Sequence, residues 1–323
     1  MDSIRPATHA GSWYSSNKKA LMSSMNQWIK TPLQTGNKAR IVVSPHAGYT
    51  YCGKVLGQAY SKLNIDENTE TIYVLGPSHH VYFQNKVLLS SFDFVETPLG
   101  NIPVDRSKIH AWKTKYPHFF EEMDEDTECE EHSLEMQFSP VKFLLEAHKN
   151  TKAKIVPMLI SHNTEKIDYE LGDILGKEMG KSKNTVFVVS SDFCHWGARF
   201  RYTAYVANES DLWHHFESNI ELGNLNKKNL DALETPIYKS IEIMDKGAMK
   251  VLEEHSGKDA YKNFKKYIKV TGDTICGEKP LCVVLAALRK QKTVFHWSGY
   301  EQSSRCTSVT DSSVSYGAGY CKI

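Results

Sequence analysis

Most instructive in this 323-residue chain is what it does not contain. It has no uninterrupted apolar run of the roughly 18 residues a membrane-spanning helix requires, so no transmembrane segment is expected. The first residues, MDSIRPATHAGSWYSSNKK, hold no apolar core of a secretory signal. Charge of either sign is not in excess: 39 basic residues stand against 38 acidic ones, for a net charge of +1. No overall field therefore draws the chain to nucleic acid or to an anionic membrane surface. Its seven cysteines, at 52, 129, 194, 276, 282, 306 and 321, include no C-x-x-C pair. That pattern argues against a disulfide framework or a structural zinc ribbon, and for reduced thiols in the cytoplasm or the nucleus. There is no G-x-S-x-G elbow of a serine hydrolase, no long nucleotide-binding glycine loop, no internal repeat and no long Pro/Gly/Ser linker. One domain spanning 1–323 is expected, with a polar surface insertion at about 222–236, LGNLNKKNLDALETP.

What the chain does contain is a series of short β-branched runs separated by helical patterns. Runs at 39–44, 71–76, 154–160 and 185–191 read as buried strands, 86–90 as an edge strand, and 293–297 and 313–320 as late strands returning to the sheet. Helical spacing marks 17–30, where Leu21, Met25 and Ile29 recur at i, i+4, and also 53–63, 133–148, 240–255, 258–268 and 280–290. The alternation predicts an α/β fold whose central sheet, mostly parallel or mixed, is flanked by helices.

Three of these strands end on chemistry. RIVVSPHAGYTYCG runs into His46, TIYVLGPSHH into His79 and His80, and TVFVVSSDFCHWG into Asp192, with His195 three residues on. Parallel strands deliver their following loops to one edge of an open sheet, where ligands bind, so His46, His79, Asp192 and His195 are expected to converge. Imidazole is a ligand for iron, copper, zinc and nickel, and two histidines with an anionic third ligand leave positions open for substrate. Asp192, Glu131, Glu135 or a cysteine are the candidates for that anion. A fourth strand, KIVPMLISHN, ends near His162 but continues polar and ranks lower.

Cys276 in TGDTICGEKP sits just before the helix expected at Pro280, where a helix dipole favours a thiolate. It is a candidate ligand, a candidate nucleophile, or a buried inert cysteine. Cys194 reads as a packing residue. In EEHSLEMQ, Glu131 and Glu135 lie four apart with His132 adjoining, either a proton relay and ligand brace or ordinary charges at a helix start. The acidic stretch EEMDEDTECEEH before it reads as a solvated loop favouring a helix N-terminus, or as a lid or basic-partner dock. Trp13, Tyr14, Tyr49, Tyr51 and Trp196 are candidates for an apolar pocket wall or for core.

THAGSWY, SPHAGYTYCG, LGPSHH, EHSLEMQ, SSDFCHWG, TICG and DSSVSYGAG occur here in the order in which they occur in the Memo family, and the resemblance covers nearly the whole chain. It implies the α/β fold of class III extradiol dioxygenases, non-haem iron enzymes that cleave catechols. It further implies metal ligation by His46, His79 and Cys276, with Asp192, His195 and His132 around the same pocket as the catalytic set. The dioxygenases use a glutamate where this chain would place Cys276. A softer, more donating thiolate makes iron or copper the expected metal, admits zinc, and argues against catechol cleavage. Family members are linked to cell motility and receptor signalling, and phosphotyrosine peptides are the partner class implied for the pocket. Three functions follow. The first is a metal-dependent redox protein with a signalling role in motility or invasive growth. The second is a non-catalytic module that holds a peptide or small anion. The third is a hydrolase with Cys276 as nucleophile.

Overall fold

The computed structural model describes residues 2–30, 39–225 and 233–323. Among them are twelve strands. In chain order these are β1 (Ile4–Arg5), β2 (Ile41–Ser44), β3 (Thr71–Pro77), β4 (Val87–Leu89), β5 (Phe94–Val95), β6 (Ile102–Pro103), β7 (Phe120–Glu122), β8 (Lys154–Ile160), β9 (Thr185–Ser190), β10 (Asp192–Trp196), β11 (Phe295–Gln302) and β12 (Ser313–Cys321). The helices are α1 (Lys18–Trp28), α2 (Tyr49–Tyr60), α3 (Arg106–Lys115), α4 (Glu125–Glu130), α5 (His132–Ala147), α6 (Glu165–Lys181), α7 (Glu209–Ser218), α8 (Ile237–Glu254), α9 (Gly257–Thr271) and α10 (Glu278–Ala287).

Nine strands form one mixed sheet in the order β10-β12-β2-β9-β3-β8-β4-β7, with β11 along the other side of β12. Its centre, β2-β9-β3-β8, is parallel. The strands there are unbroken apolar runs, as expected where helices cover both faces. The two faces separate along β3. Tyr73 donates its hydroxyl to Glu178 of α6 (3.0 Å), while Gly76, at odd spacing from it, lies against Ser133 and Leu134 of α5. β1, β5 and β6 make a small second sheet that ties the N-terminus to the segment after β4. No helix among the described residues is long and apolar enough to cross a membrane.

The mixed α/β architecture agrees with the sequence, and so do the positions of the four central strands. Besides the short strands β1, β5, β6 and β7 and the helices α3, α4 and α7, which no run or spacing announces, three features differ. α6 has no counterpart among the expected helices, because Gly172 and Gly176 and the buried acids Asp168 and Glu178 interrupt its apolar face. The glycines let it press onto α10: a Cβ at Gly172 would stand 2.7 Å from Ala286. β11 runs on to Gln302, past Ser298 and Gly299, which hide it from a search for apolar runs. The chain also does not loop out after Ser191 but continues as β10. Of the expected insertion at 222–236, residues 226–232 lie outside the described residues. Its near flank is tied down where Leu222 and Leu225 donate their amides to Val270 and Thr203.

Candidate metal centre

The site forms where β2, β3 and β9 end at one edge of the sheet. His46 follows β2 and is 2% exposed. Its amide donates to Asp192 Oδ1 (2.8 Å), and its Nδ1 lies 2.8 Å from Ser190 Oγ. Ser190 spends its own proton on the Ser133 carbonyl (2.6 Å) and accepts from Gln137 (3.0 Å). Ser190 must therefore accept from His46 as well, so the proton of His46 resides on Nδ1. Nε2 is left with its lone pair, 3.1 Å from Cys276 Sγ.

His79, after β3, is fixed in the same way by a different partner. Its amide donates to Glu131 Oε2 (2.7 Å) and its Nδ1–H to Glu131 Oε1 (2.8 Å), again leaving Nε2 open. Glu131 is the cap residue of α5 and accepts the Ser133 amide too (2.9 Å). Burial alone would raise its carboxyl, but the His79 ring and amide and the Ser133 amide hold it down at about 2.

Cys276 lies in the loop between α9 and α10. Its sulfur accepts the Asp192 amide (3.1 Å), and Gly277 beside it packs directly on Ser191. A Cβ at Gly277 would meet Ser191 Cβ at 2.2 Å, so only glycine lets the loop approach this closely. Donor atoms of His46, His79 and Cys276 all lie within 4.8 Å of one another. The donor set fits a metal: two imidazole nitrogens and a sulfur converge, each imidazole braced from behind as metal-ligating histidines are. The helix start does not produce a thiolate here. Burial and the Asp192 carboxylate push the thiol well above its ordinary value, so a metal must displace its proton.

Asp192 and His195 both line the cavity beside these groups, although odd spacing along a strand normally sends two side chains to opposite faces. A bulge in the pairing of β10 with β12 falls between them and turns both inward. Burial raises Asp192 to about 7 against the amides of His46 and Ala47. His195 donates Nδ1–H to the Phe193 carbonyl (2.9 Å), and its amide donates to Thr274 Oγ1 (2.7 Å). His132 stacks on His79 with ring centres 4.3 Å apart. Burial first, then the neighbouring histidines, hold His46, His132 and His195 below their ordinary values, His132 at about 3, so all three rings are neutral at pH 7.

The cavity in front holds about 620 Å³. Trp13 and Tyr51 line it, whereas Tyr14, Tyr49 and Trp196 are core. Arg199, Phe200 and a wall from Ser312, Ser313 and Val314 also belong to it and carry no signal of their own in the sequence, although DSSV lies inside one of the family motifs. Ser190 and Gln137 carry none either, since nothing in a single sequence shows which turn serine braces an imidazole. His80 is exposed at the rim, its ring edge-on to His132 at 6.2 Å. His162 is exposed and pairs with Ser161 and the Tyr82 ring, outside the cavity wall.

The acidic stretch is not simply a solvated loop. Asp124 caps α4, but Glu128 and Glu131 are 1% exposed and Glu135 is fully buried. Glu135 accepts from Arg5 (2.6 Å), Thr8, His9 and Tyr14 (2.7 Å), which anchors the N-terminal segment carrying Trp13 against the site.

This architecture and donor cluster define an α/β protein with a candidate metal centre at the carboxyl edge of its sheet. The chain belongs to the Memo family: it matches the Memo-like protein family over residues 5–320. It is 43% identical to the MEMO1 family protein MHO1 of Saccharomyces cerevisiae, over 99% of each chain. It is 37% identical to Protein MEMO1 of Homo sapiens, covering 98% of this chain and 96% of that one. With a MEMO1 family protein of Schizosaccharomyces pombe it shares 38% identity over 97% of each.

Proposed function

We propose that this is a single-domain, metal-dependent redox protein of the class III extradiol dioxygenase type, with a signalling role in motility or invasive growth inside the cell. His46, His79 and Cys276 would hold iron or copper, and zinc would be a redox-silent occupant. The observation that carries the reading is the convergence of two imidazole nitrogens and a sulfur within 4.8 Å of one another, beside an open cavity that both histidines line. A bound iron or copper would supply one-electron exchange with oxygen.

The remaining groups act on whatever enters the cavity. Asp192, with a carboxyl near neutrality, can take up or give a proton beside His46. His195 offers a neutral Nε2 as acceptor, because its Nδ1 proton is committed to the Phe193 carbonyl. His132 sets the face of His79 by stacking, and the Trp13 ring packs against His132 with centres 4.5 Å apart.

The 3.1 Å Cys276–His46 contact also favours a second reading, a thiol nucleophile with its base. Burial opposes it, lifting the thiol and lowering the imidazole, so the uncharged pair prevails without metal. Arg199 at the cavity wall would suit the anionic group of a phosphopeptide held by a non-catalytic module.

The test is metal content of untagged protein purified without chelator or oxygen, beside His46→Ala/Cys276→Ser. Near-stoichiometric iron or copper lost in the variant, with oxygen consumption above that of free metal, supports the proposal. A protein that neither holds nor binds metal overturns it. Peptide binding indifferent to chelation would then favour the module, and alkylation of Cys276 far faster than of other thiols the hydrolase.

A further inference from the structure

Behind the cavity, a second group of donors meets that the centre above does not use. Cys194 of β10, Asp245 of α8 and Asp273 of the loop between α9 and α10 bring one donor atom each to within 4.8 Å of one another. They are 0%, 0% and 5% exposed. Asp245 is partly provided for: Oδ1 accepts the Cys194 amide (3.0 Å) and Oδ2 the Tyr300 hydroxyl (2.7 Å). Asp273 is less well served: neither carboxylate oxygen has a hydrogen-bond partner of good geometry, and only the Cys194 thiol and the Thr274 amide lie near enough to favour its charge.

The groups facing Asp273 do not answer it. The Cys194 thiol and the Thr274 amide turn toward it, and Asp245 opposes it with like charge. The nearby Tyr202 and Tyr267 hydroxyls give their protons elsewhere, to the carbonyls of Thr271 (2.8 Å) and Met244 (2.5 Å). Glu242 adds a further like charge toward Asp245. Among the described residues, neither carboxylate takes part in an ion pair.

Two carboxyls and a thiol this close in a dry interior cannot all be anionic; protons or a cation must neutralise them. In the metal-free chain protons do so, burial holding Asp245 up at about 6 and Asp273 well above its ordinary value. A proton on Asp273 does not supply the well-placed partners its oxygens lack, whereas a cation would bind them together with the sulfur.

We propose that Cys194, Asp245 and Asp273 form a second metal site, which takes a divalent cation of the zinc class. A thiolate mixed with carboxylates suits zinc better than magnesium or calcium, which select all-oxygen sites. Protons displaced from thiol and carboxyl pass to solvent, so occupancy rises with pH. The bound ion joins β10, α8 and the loop that carries Thr274 and Cys276. It thereby stiffens the back of the cavity without facing what enters it.

Zinc is the probe. Full-length protein is produced with zinc supplied, dialysed against a weak chelator and counted for bound metal, beside His46→Ala/Cys276→Ser and Asp273→Asn. About two ions per chain are expected in the wild type and about one in each variant. Zinc lost completely in His46→Ala/Cys276→Ser removes the second site and leaves the first. A count that Asp273→Asn does not lower overturns the proposal as well. Zinc that survives His46→Ala/Cys276→Ser but not the added Asp273→Asn supports the second site whatever becomes of the first. Should Asp273→Asn fail to fold, cobalt in His46→Ala/Cys276→Ser decides: a thiolate-to-cobalt charge-transfer band lost with Cys194→Ser supports the site, and no such band refutes it.

Discussion

Replacing Glu131 by glutamine probes how the His79 side of the centre is built. Two carboxylate oxygens receive three N–H donors: the His79 amide, His79 Nδ1–H and the Ser133 amide. Glutamine keeps the shape but offers one acceptor oxygen, and its NH₂ must face at least one of those donors. Hydrogen bonds to a charged group contribute about 1.5–3 kcal/mol each, so the variant should lose about 2–3 kcal/mol of stability. The carboxyl's own depression gives an independent ceiling: a fall from 4.5 to about 2 corresponds to about 3 kcal/mol. That contribution is present above pH 4.5 and is lost as pH falls toward 2, so the deficit of Glu131→Gln should narrow with acidification. Metal affinity should drop by about 10- to 100-fold, the usual cost of losing a group that braces a ligating histidine. Urea unfolding at several pH values and competition with a metal indicator measure both effects. Glu301→Gln, in an exposed pair with Lys54, is the control and should change stability by less than about 0.5 kcal/mol. A Glu131→Gln protein with unchanged unfolding midpoint and unchanged metal affinity would refute the bracing of His79 by Glu131.

Three further outcomes are expected. Arg5→Met should cost about 3–5 kcal/mol in urea unfolding, because it leaves Glu135 buried without its ion-pair partner; adding Glu135→Gln should recover part of the loss, and a neutral Arg5→Met would contradict this. Gly277→Ala should weaken metal binding by more than about tenfold through displacement of Cys276. Ser191→Gly in the same chain should restore only part, since the Ser190 carbonyl still stands 2.7 Å from the new Cβ. Metal affinity should rise with pH, by about tenfold per pH unit between pH 6 and 8, because binding displaces the Cys276 proton; a flat titration would show that the thiol is not a ligand.

The central strands are legible because each is an unbroken β-branched run, and their order of appearance with helices between sets the class of fold. Their histidines are legible for a related reason. A residue that immediately follows a parallel strand has little freedom in where it can go, so His46 and His79 have to reach the same edge. Cys276 stands out only through its place before a helix and through the family likeness, and the physical argument attached to it, a dipole-stabilised thiolate, gives way to burial. Of the residues that brace the imidazoles, only Glu131 is legible, as one of two readings of EEHSLEMQ, and Ser190 and Gln137 are not. Ser190, Gln137 and Glu131 act through contacts made between elements far apart in the chain, and a serine or glutamine that completes such a bond looks the same in sequence as one that faces water. Burial of Glu128, Glu131 and Glu135 is hidden for the converse reason: an acid-rich stretch is ordinarily solvated, and the partners that make the exception tolerable lie far off in the chain, Ser90 and Ser91 for Glu128, His79 for Glu131 and Arg5 for Glu135.

The segment Ser190–His195 shows how a few residues of irregular strand can organise both centres. Ser190 ends β9 by bracing His46, and Ser191 receives the close approach of Gly277. Asp192 then enters β10 with its amide on Cys276 and its carboxylate on the His46 amide. Were β10 regular, Asp192 and Cys194 would share a face and His195 would point away from the cavity. The bulge reverses that assignment, sending His195 inward with Asp192 and leaving Cys194 to meet Asp245 and Asp273 behind. A single break in register thus separates the donors of the cavity from those of the buried cluster. Any substitution that regularises β10 should therefore disturb both sets of donors together, whereas loss of one set alone should leave the other in place.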